Sequence, residues 1–229
     1  MSVGFKWAKK AADQGHFKGL EIIGSCYRLG KGTQVDRWRA IDCLHKSSEL
    51  GNANASHQLG VLYWKGDAII GKKDLVKSFE YFLLAAQQNY SPMSVAECYF
   101  KGEGVEVNYP EAMKWFYIAS VYGEVKSFNY LAECYYNGYG VEQDFSKAFE
   151  YFKKAEILDT TATNGNCLNS LGICYLRGHG TQQNLETAIF YFKKSISKGN
   201  VSAQKNLDST LEVKEKLDNR KSYTINIYN

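Results

Sequence analysis

Residues 127–156 read SFNYLAECYYNGYGVEQDFSKAFEYFKKAE, and this stretch decides the fold. Ser127, Leu131, Ala132 and Tyr135 follow one another at offsets of four, one and three, which puts them on one face of a helix. Gly138 stands three residues after Tyr135, where a left-handed residue ends a helix. Asp144 then suits the N-cap of a second helix, because its side-chain oxygen can accept an orphan backbone N–H. In that second helix small residues, Ala148 and Ala155, flank the bulky pair Tyr151-Phe152. Small against large is how two close-packed helices interlock.

The same order recurs along the chain. The anchor tyrosines Tyr27, Tyr63, Tyr99, Tyr135 and Tyr175 are spaced by 36, 36, 36 and 40 residues. A small residue leads each unit (Gly19, Ala55, Ser91, Ser127, Cys167), and an aliphatic one follows four later (Ile23, Leu59, Val95, Leu131, Leu171). Gly30, Gly66, Gly102, Gly138 and Gly178 end the first helices, and four of the five turns are Gly-x-Gly. Asp36, Asp74, Asn108, Asp144 and Asn184 cap the second helices. Asn108 and Glu111 have the spacing of a capping box, and Pro110 lies in that first turn. A fixed period of this length predicts an all-α array of stacked helical hairpins. Two irregularities stand out: extra residues between Ala68 and Gly71, and a Thr- and Asn-rich insertion from Asp159 to Asn166 that reads as an exposed loop.

The boundaries follow from this register. Residues 1–16 form a half-repeat with only a second helix, 17–200 hold five repeats, 201–218 form a capping helix, and 219–229 read as a flexible tail. The cap carries an apolar face at Ala203, Leu207 and Leu211. The half-repeat either starts the protein with an unpaired helix or belongs to something longer. Its Phe5 and Trp7 are expected to be exposed and adhesive, which allows self-association through that end.

Composition narrows the function. The chain has 229 residues, 45% of them apolar, which excludes whole-chain disorder. A net charge of +4 is too small and too evenly spread to point to nucleic acid. No run of eighteen apolar residues predicts membrane insertion, and no apolar run marks a signal peptide, so a cytoplasmic location is expected. The cysteines Cys26, Cys98, Cys134 and Cys174 each precede an anchor tyrosine, and equivalent positions in successive repeats do not face each other at bonding distance. Cys43 and Cys167 complete the six, which are read as buried free thiols. There is no Cys-x-x-Cys pair, no HxxxH spacing among His16, His45, His57 and His179, and no Gly-x-Ser-x-Gly elbow. Gly24 to Lys31 misses a phosphate-binding loop by one residue of spacing and by Gly32 at the Ser/Thr place. No cofactor, metal or catalytic residue is therefore expected. The basic pairs Lys153-Lys154 and Lys193-Lys194 are read as solvated second-helix faces.

The unit resembles the Sel1-like repeat, a relative of the tetratricopeptide repeat, over about residues 3–207, on its small–Leu–Gly–Tyr–x-x–Gly–x–Gly order, Asp/Asn cap and small-residue helix ending. The resemblance implies a right-handed α/α solenoid that acts as a non-catalytic adaptor or scaffold for a protein or peptide. It also implies that first helices line the concave side. The positions after the anchors there are Arg28, Trp64, Phe100, Tyr136 and Leu176. Trp64, Phe100 and Tyr136 form an aromatic ladder, flanked by Lys65, Lys101, Asn137 and Arg177, with Glu97 and Glu133 one turn earlier. The ladder either meets a partner or packs against neighbouring repeats. A cysteine-rich, disulfide-linked branch of the family has reported penicillin binding. Its cysteines are absent here at Ser47-Ser48, Ala85-Ala86, Ala119-Ser120, Ala155-Glu156 and Ser195-Ile196. A hydrolase of peptides or cell-wall fragments, and a regulatory segment of a larger signalling protein, are the alternatives.

Overall fold

The structure is a computed structural model that describes residues 3–66, 71–158 and 165–227, with side chains to residue 219. The described residues hold twelve helices. The chain divides into two compact units, Met1–Ala119 and Ser120–Asn229. In the first unit α1 (Val3–Asp13) precedes α2 (Phe17–Leu29), α3 (Arg37–Glu49), α4 (Ala53–Lys65), α5 (Leu75–Ala86) and α6 (Pro92–Lys101), and most of α7 (Tyr109–Val121) follows. The second unit holds α8 (Val125–Asn137), α9 (Phe145–Leu158), α10 (Gly165–Arg177), α11 (Leu185–Ser197) and α12 (Ser202–Ile227). The fold is an all-α helical-repeat solenoid.

Backbone chemistry repeats with the sequence. The backbone N–H groups of Asp36, Asp74, Asn108, Asp144 and Asn184 donate to the carbonyls of Tyr27, Tyr63, Tyr99, Tyr135 and Tyr175 at 2.8–2.9 Å. Each bond joins the end of a first helix to the cap of its second, and it satisfies a carbonyl that the helix end would leave orphaned. Each cap then closes with its side chain, Oδ1 accepting from the third residue onward at 2.9–3.1 Å. At Asn108 only half of the expected capping box forms. The Asn108 N–H is taken by Tyr99, and the Glu111 carboxylate turns to Lys114.

The two glycines of a turn do different work. Gly102 sits at φ 73° and its N–H closes on the Cys98 carbonyl, ending α6. Gly104, at φ 79°, lies against the start of α5 in the preceding repeat, where an added Cβ would come within 1.9 Å of the Leu75 oxygen. Gly180 repeats this against Phe145 at 2.1 Å. Inter-repeat contact thus rests on glycine for space as well as for its left-handed backbone.

The core is built from the expected positions. Leu59, Val95, Leu131, Leu171, Phe116 and Phe192 are fully buried. Tyr63, Tyr135 and Tyr175 stack face to face on Tyr81, Tyr151 and Tyr191 of their own second helices at 5.5–5.7 Å. Phe5, expected to be exposed, is instead 2% exposed and meets Tyr27 edge-on at 5.6 Å. It holds the place where Phe79 and Phe149 cover the next repeat's tyrosine, so its ring turns inward toward α2. Trp7 is exposed, as its face of α1 dictates.

The C-terminal helix also departs from expectation. It runs through Ile227, over most of the stretch read as a tail, because residues 211–222 are dominated by Lys, Glu, Leu and Arg, which favour helix. Leu211 is exposed and Thr210 is buried in its stead, its hydroxyl donating to the Asn206 carbonyl at 2.6 Å. The insertion is shorter than read, since α10 begins at Gly165, whose carbonyl accepts from the Ser195 hydroxyl. Residues 159–164 and the extra residues 68–70 lie outside the described residues.

Candidate functional site

The first helices carry the candidate binding face. In the first unit Trp64 and Lys65 end α4, while Glu97, Phe100 and Lys101 lie on α6. In the second unit Glu133, Tyr136 and Asn137 lie on α8, and Arg177 ends α10.

The three ladder aromatics differ in what they touch. Trp64 is 39% exposed, and its Nε1 donates to Glu103 Oε2 at 2.8 Å. Lys73 Nζ lies 4.8 Å over the same ring. Phe100 is half-buried, with its ring against Tyr109 and Phe116 of its own second helix. Tyr136 is half-buried between Phe145 and His179, and its hydroxyl meets His179 Nδ1 at 2.9 Å. Glu103 and His179 are the middle residues of their Gly-x-Gly turns. The residue after an anchor tyrosine therefore reaches the tip of the next repeat's turn, at Trp64 and again at Tyr136. Sequence reading missed Glu103 and His179. The available signal was a polar residue between two turn glycines, 39 and 43 residues after an aromatic.

The flanking charges are partly committed. Lys101 Nζ pairs with Glu97 Oε2 at 2.8 Å along α6. Asn137 Nδ2 donates to the Glu133 carbonyl at 3.0 Å. Burial raises the Glu133 carboxyl above its ordinary value. Burial likewise raises the Tyr136 hydroxyl, an effect that the facing Arg177 opposes. Lys65, Asn137 and Arg177 are exposed.

A second polar cluster sits on the second helices of the second unit. Glu156 accepts from Lys153 at 2.6 Å and from Tyr191 and Lys194 at 3.0 Å. Burial alone would raise the Glu156 carboxyl, but these three donors bring it below its usual value. Two of the lysines read as solvated, Lys153 and Lys194, thus hold α9 and α11 together, while Lys154 and Lys193 are exposed. Among the described residues no group of histidine, cysteine and carboxylate side chains could hold a metal, and no helix is long and apolar enough to cross a membrane.

All six cysteines are free, and all but Cys26 are buried. Burial pushes the thiols of Cys98, Cys134 and Cys174 up to about 12, which leaves them protonated and unreactive in the folded state.

A pH dependence follows from the histidines. Burial lowers the His57 and His179 imidazoles below their ordinary value. A group depressed on folding contributes stability that is full above its unfolded value and is lost as the pH falls through its folded one. Glu156 acts in the same sense at lower pH. The melting temperature should therefore decline as the pH falls below about 6.5. His57→Gln should flatten the upper part of that decline, as read by circular dichroism.

Comparison with known proteins places these features in a wider set. The Sel1 repeat model matches residues 2–16, 22–52, 53–90, 93–120, 129–158 and 166–200. A protective antigen of uropathogenic Escherichia coli, c5321, described as displaying an SLR fold, superimposes with a TM-score of 0.74 at 30% identity, over 90% of this chain and 44% of that one. A Sel1 repeat protein from Oxalobacter formigenes gives a TM-score of 0.72 at 27% identity, over 84% of this chain and 77% of that one. A rat protein, DAP3-binding cell death enhancer 1, is 27% identical over 52% of this chain and 30% of its own length. The chain spans under half of the E. coli antigen and under a third of the rat relative.

Proposed function

We propose, from the premise that this chain belongs to the Sel1 repeat family, that it is a non-catalytic scaffold binding a peptide or protein segment along its first helices. Sel1 repeat proteins are generally protein-interaction scaffolds and generally non-catalytic. In a solenoid of helical hairpins the first helices line the inner, concave side, so the proposed surface is that side. The observation that carries the reading is Trp64: a large aromatic, well exposed, held in one orientation by Glu103 and Lys73. A rigid aromatic with a fixed polar edge loses little entropy on binding, which is why such residues dominate interface energetics. Lys65 and the Glu97–Lys101 pair supply polar contacts beside it. In the second unit Tyr136, Asn137, Glu133 and Arg177 are proposed as the equivalent set. A cytoplasmic location belongs to the same proposal, because six free thiols suit a reducing compartment.

Phe100 contributes to this surface through shape. Its ring packs on the fully buried Phe116, so alanine there also destabilises the hairpin. The test therefore rests on Trp64. Proteins retained from the native cell by the wild-type chain should be lost with Trp64→Ala, which is expected to weaken binding about tenfold or more. Glu103→Ala, which removes the acceptor and frees the indole without removing it, should weaken binding less. Identical retention by wild type and Trp64→Ala would make the ladder structural and remove this reading.

A further inference from the structure

Two arginines of the first repeat stand where other repeats close ring on ring. Arg28 follows the anchor Tyr27, and Arg37 follows the cap Asp36. In the third repeat these two places hold Phe100 and Tyr109, with ring centroids 5.4 Å apart, and in the fourth Tyr136 and Phe145, at 5.1 Å. The same register puts two arginines at that contact in the first repeat. Both are exposed, and among the described residues neither forms an ion pair. The cap carboxylate, Asp36, pairs instead with Arg39 at 3.4 Å. Two like charges held at one place oppose each other until an anion comes between them.

Charge that is even over the whole chain is uneven along its turns. From the residue after the anchor tyrosine to the first turn of the second helix, residues 28–39 hold four basic side chains and one acidic, and residues 64–77 hold four and two. The matching residues 100–111 hold one basic side chain and three acidic. In the second stretch Lys77 pairs with the cap Asp74, whereas Lys65, Lys72 and Lys73 are exposed and form no ion pair among the described residues. Trp64 marks the change of sign, with Lys73 Nζ 4.8 Å over its ring and Glu103 accepting from its Nε1 at 2.8 Å. Glu106, beyond it, is exposed. Given the scaffold role above, on which this rests, we propose that the first unit binds a protein segment of split charge. Its acidic half lies on Arg28, Arg37, Lys65 and Lys73, and its uncharged or basic half lies past Trp64, at Glu103 and Glu106. A polypeptide can change sign within a few residues. A nucleic acid cannot: its phosphates repeat evenly, and those that suit the arginines would be followed by others set against the two glutamates. The change of sign across one exposed aromatic also fixes the direction in which the segment lies.

The test selects a random library of twelve-residue peptides on the full chain, with counter-selection on Trp64→Ala. The peptides that need Trp64 should gather Asp and Glu in one half. Made synthetically with a fluorescein label and titrated by anisotropy, they should bind about tenfold more weakly to Arg28→Glu combined with Arg37→Glu. Exchanging the acidic residues of the peptide for lysine should abolish binding to the wild type and restore it to that double variant, a reversal that loss of folding cannot mimic. Trp64-dependent peptides without an acidic half, or a loss that the exchange does not restore, would overturn the split-charge segment and leave the scaffold role in place. A selection that yields no Trp64-dependent peptide would remove both. A labelled twelve-nucleotide thymidine strand that binds more tightly than the best peptide would overturn the proposal by assigning the basic turns to nucleic acid. A concentration-dependent dimer in sedimentation, abolished by the double variant, would overturn it by assigning them to a second copy.

Discussion

Gly104→Ala is expected to lower the stability of the chain by about 2–4 kcal/mol, combining the strain of a side chain at positive φ with overpacking. The site is severe because the obstacle is backbone. The new Cβ would sit 1.9 Å from the Leu75 oxygen and 2.4 Å from its carbonyl carbon, so no rotamer relieves the contact. Either the turn lifts from the preceding repeat or the start of α5 moves. Gly180→Ala should behave alike against Phe145, at 2.1 Å. Gly123→Ala separates the two costs. Its φ is +80°, yet nothing lies within 4 Å of its Cβ position, so it should lose only about 1 kcal/mol. Urea unfolding of the three variants checks the order. A Gly104→Ala loss no larger than that of Gly123→Ala would mean that the turn is loosely seated.

Phe192→Ala is the second large effect, expected at about 3–5 kcal/mol. Its ring is fully buried, and Gly172 on α10 is shaped around it, with ring atoms 2.5–3.0 Å from the place a Cβ would take. The complementary change, Gly172→Ala, overfills the same contact. A double-mutant cycle is diagnostic here. Gly172→Ala with Phe192→Leu should lose less than the two single changes added together, because each relieves the other. Strict additivity, measured by thermal melts, would show that the two residues do not share one contact.

Much of this architecture was legible because it is periodic within single helices. The anchor tyrosines, the terminating glycines and the five caps are each a local decision, taken by a residue and its neighbours three or four places away. The structure places them as the spacing implies. What the spacing could not convey is which neighbour each face meets. Gly104 and Gly102 look alike in sequence, yet one ends a helix and the other admits the preceding repeat. Phe5 and Trp7 lie two residues apart on one short helix, and they turn to opposite surroundings. The candidate ladder shows the same gap: three aromatics share one register, but the exposure of Trp64 and the inward packing of Phe100 depend on partners such as Glu103 and Phe116. Leu211 was misread for a related reason, since a spacing of four and then three brings Thr210 to the buried side.

The unreactive thiols give three of the hairpins a chronometer each. Cys98, Cys134 and Cys174 stand at one equivalent place in three repeats and are at most 2% exposed. An alkylating reagent can reach them only when their surroundings open, so the rate of mass gain at each cysteine records how often that hairpin breathes. Peptide mass mapping over time would then read a stability profile along the chain, repeat by repeat, with no introduced reporter.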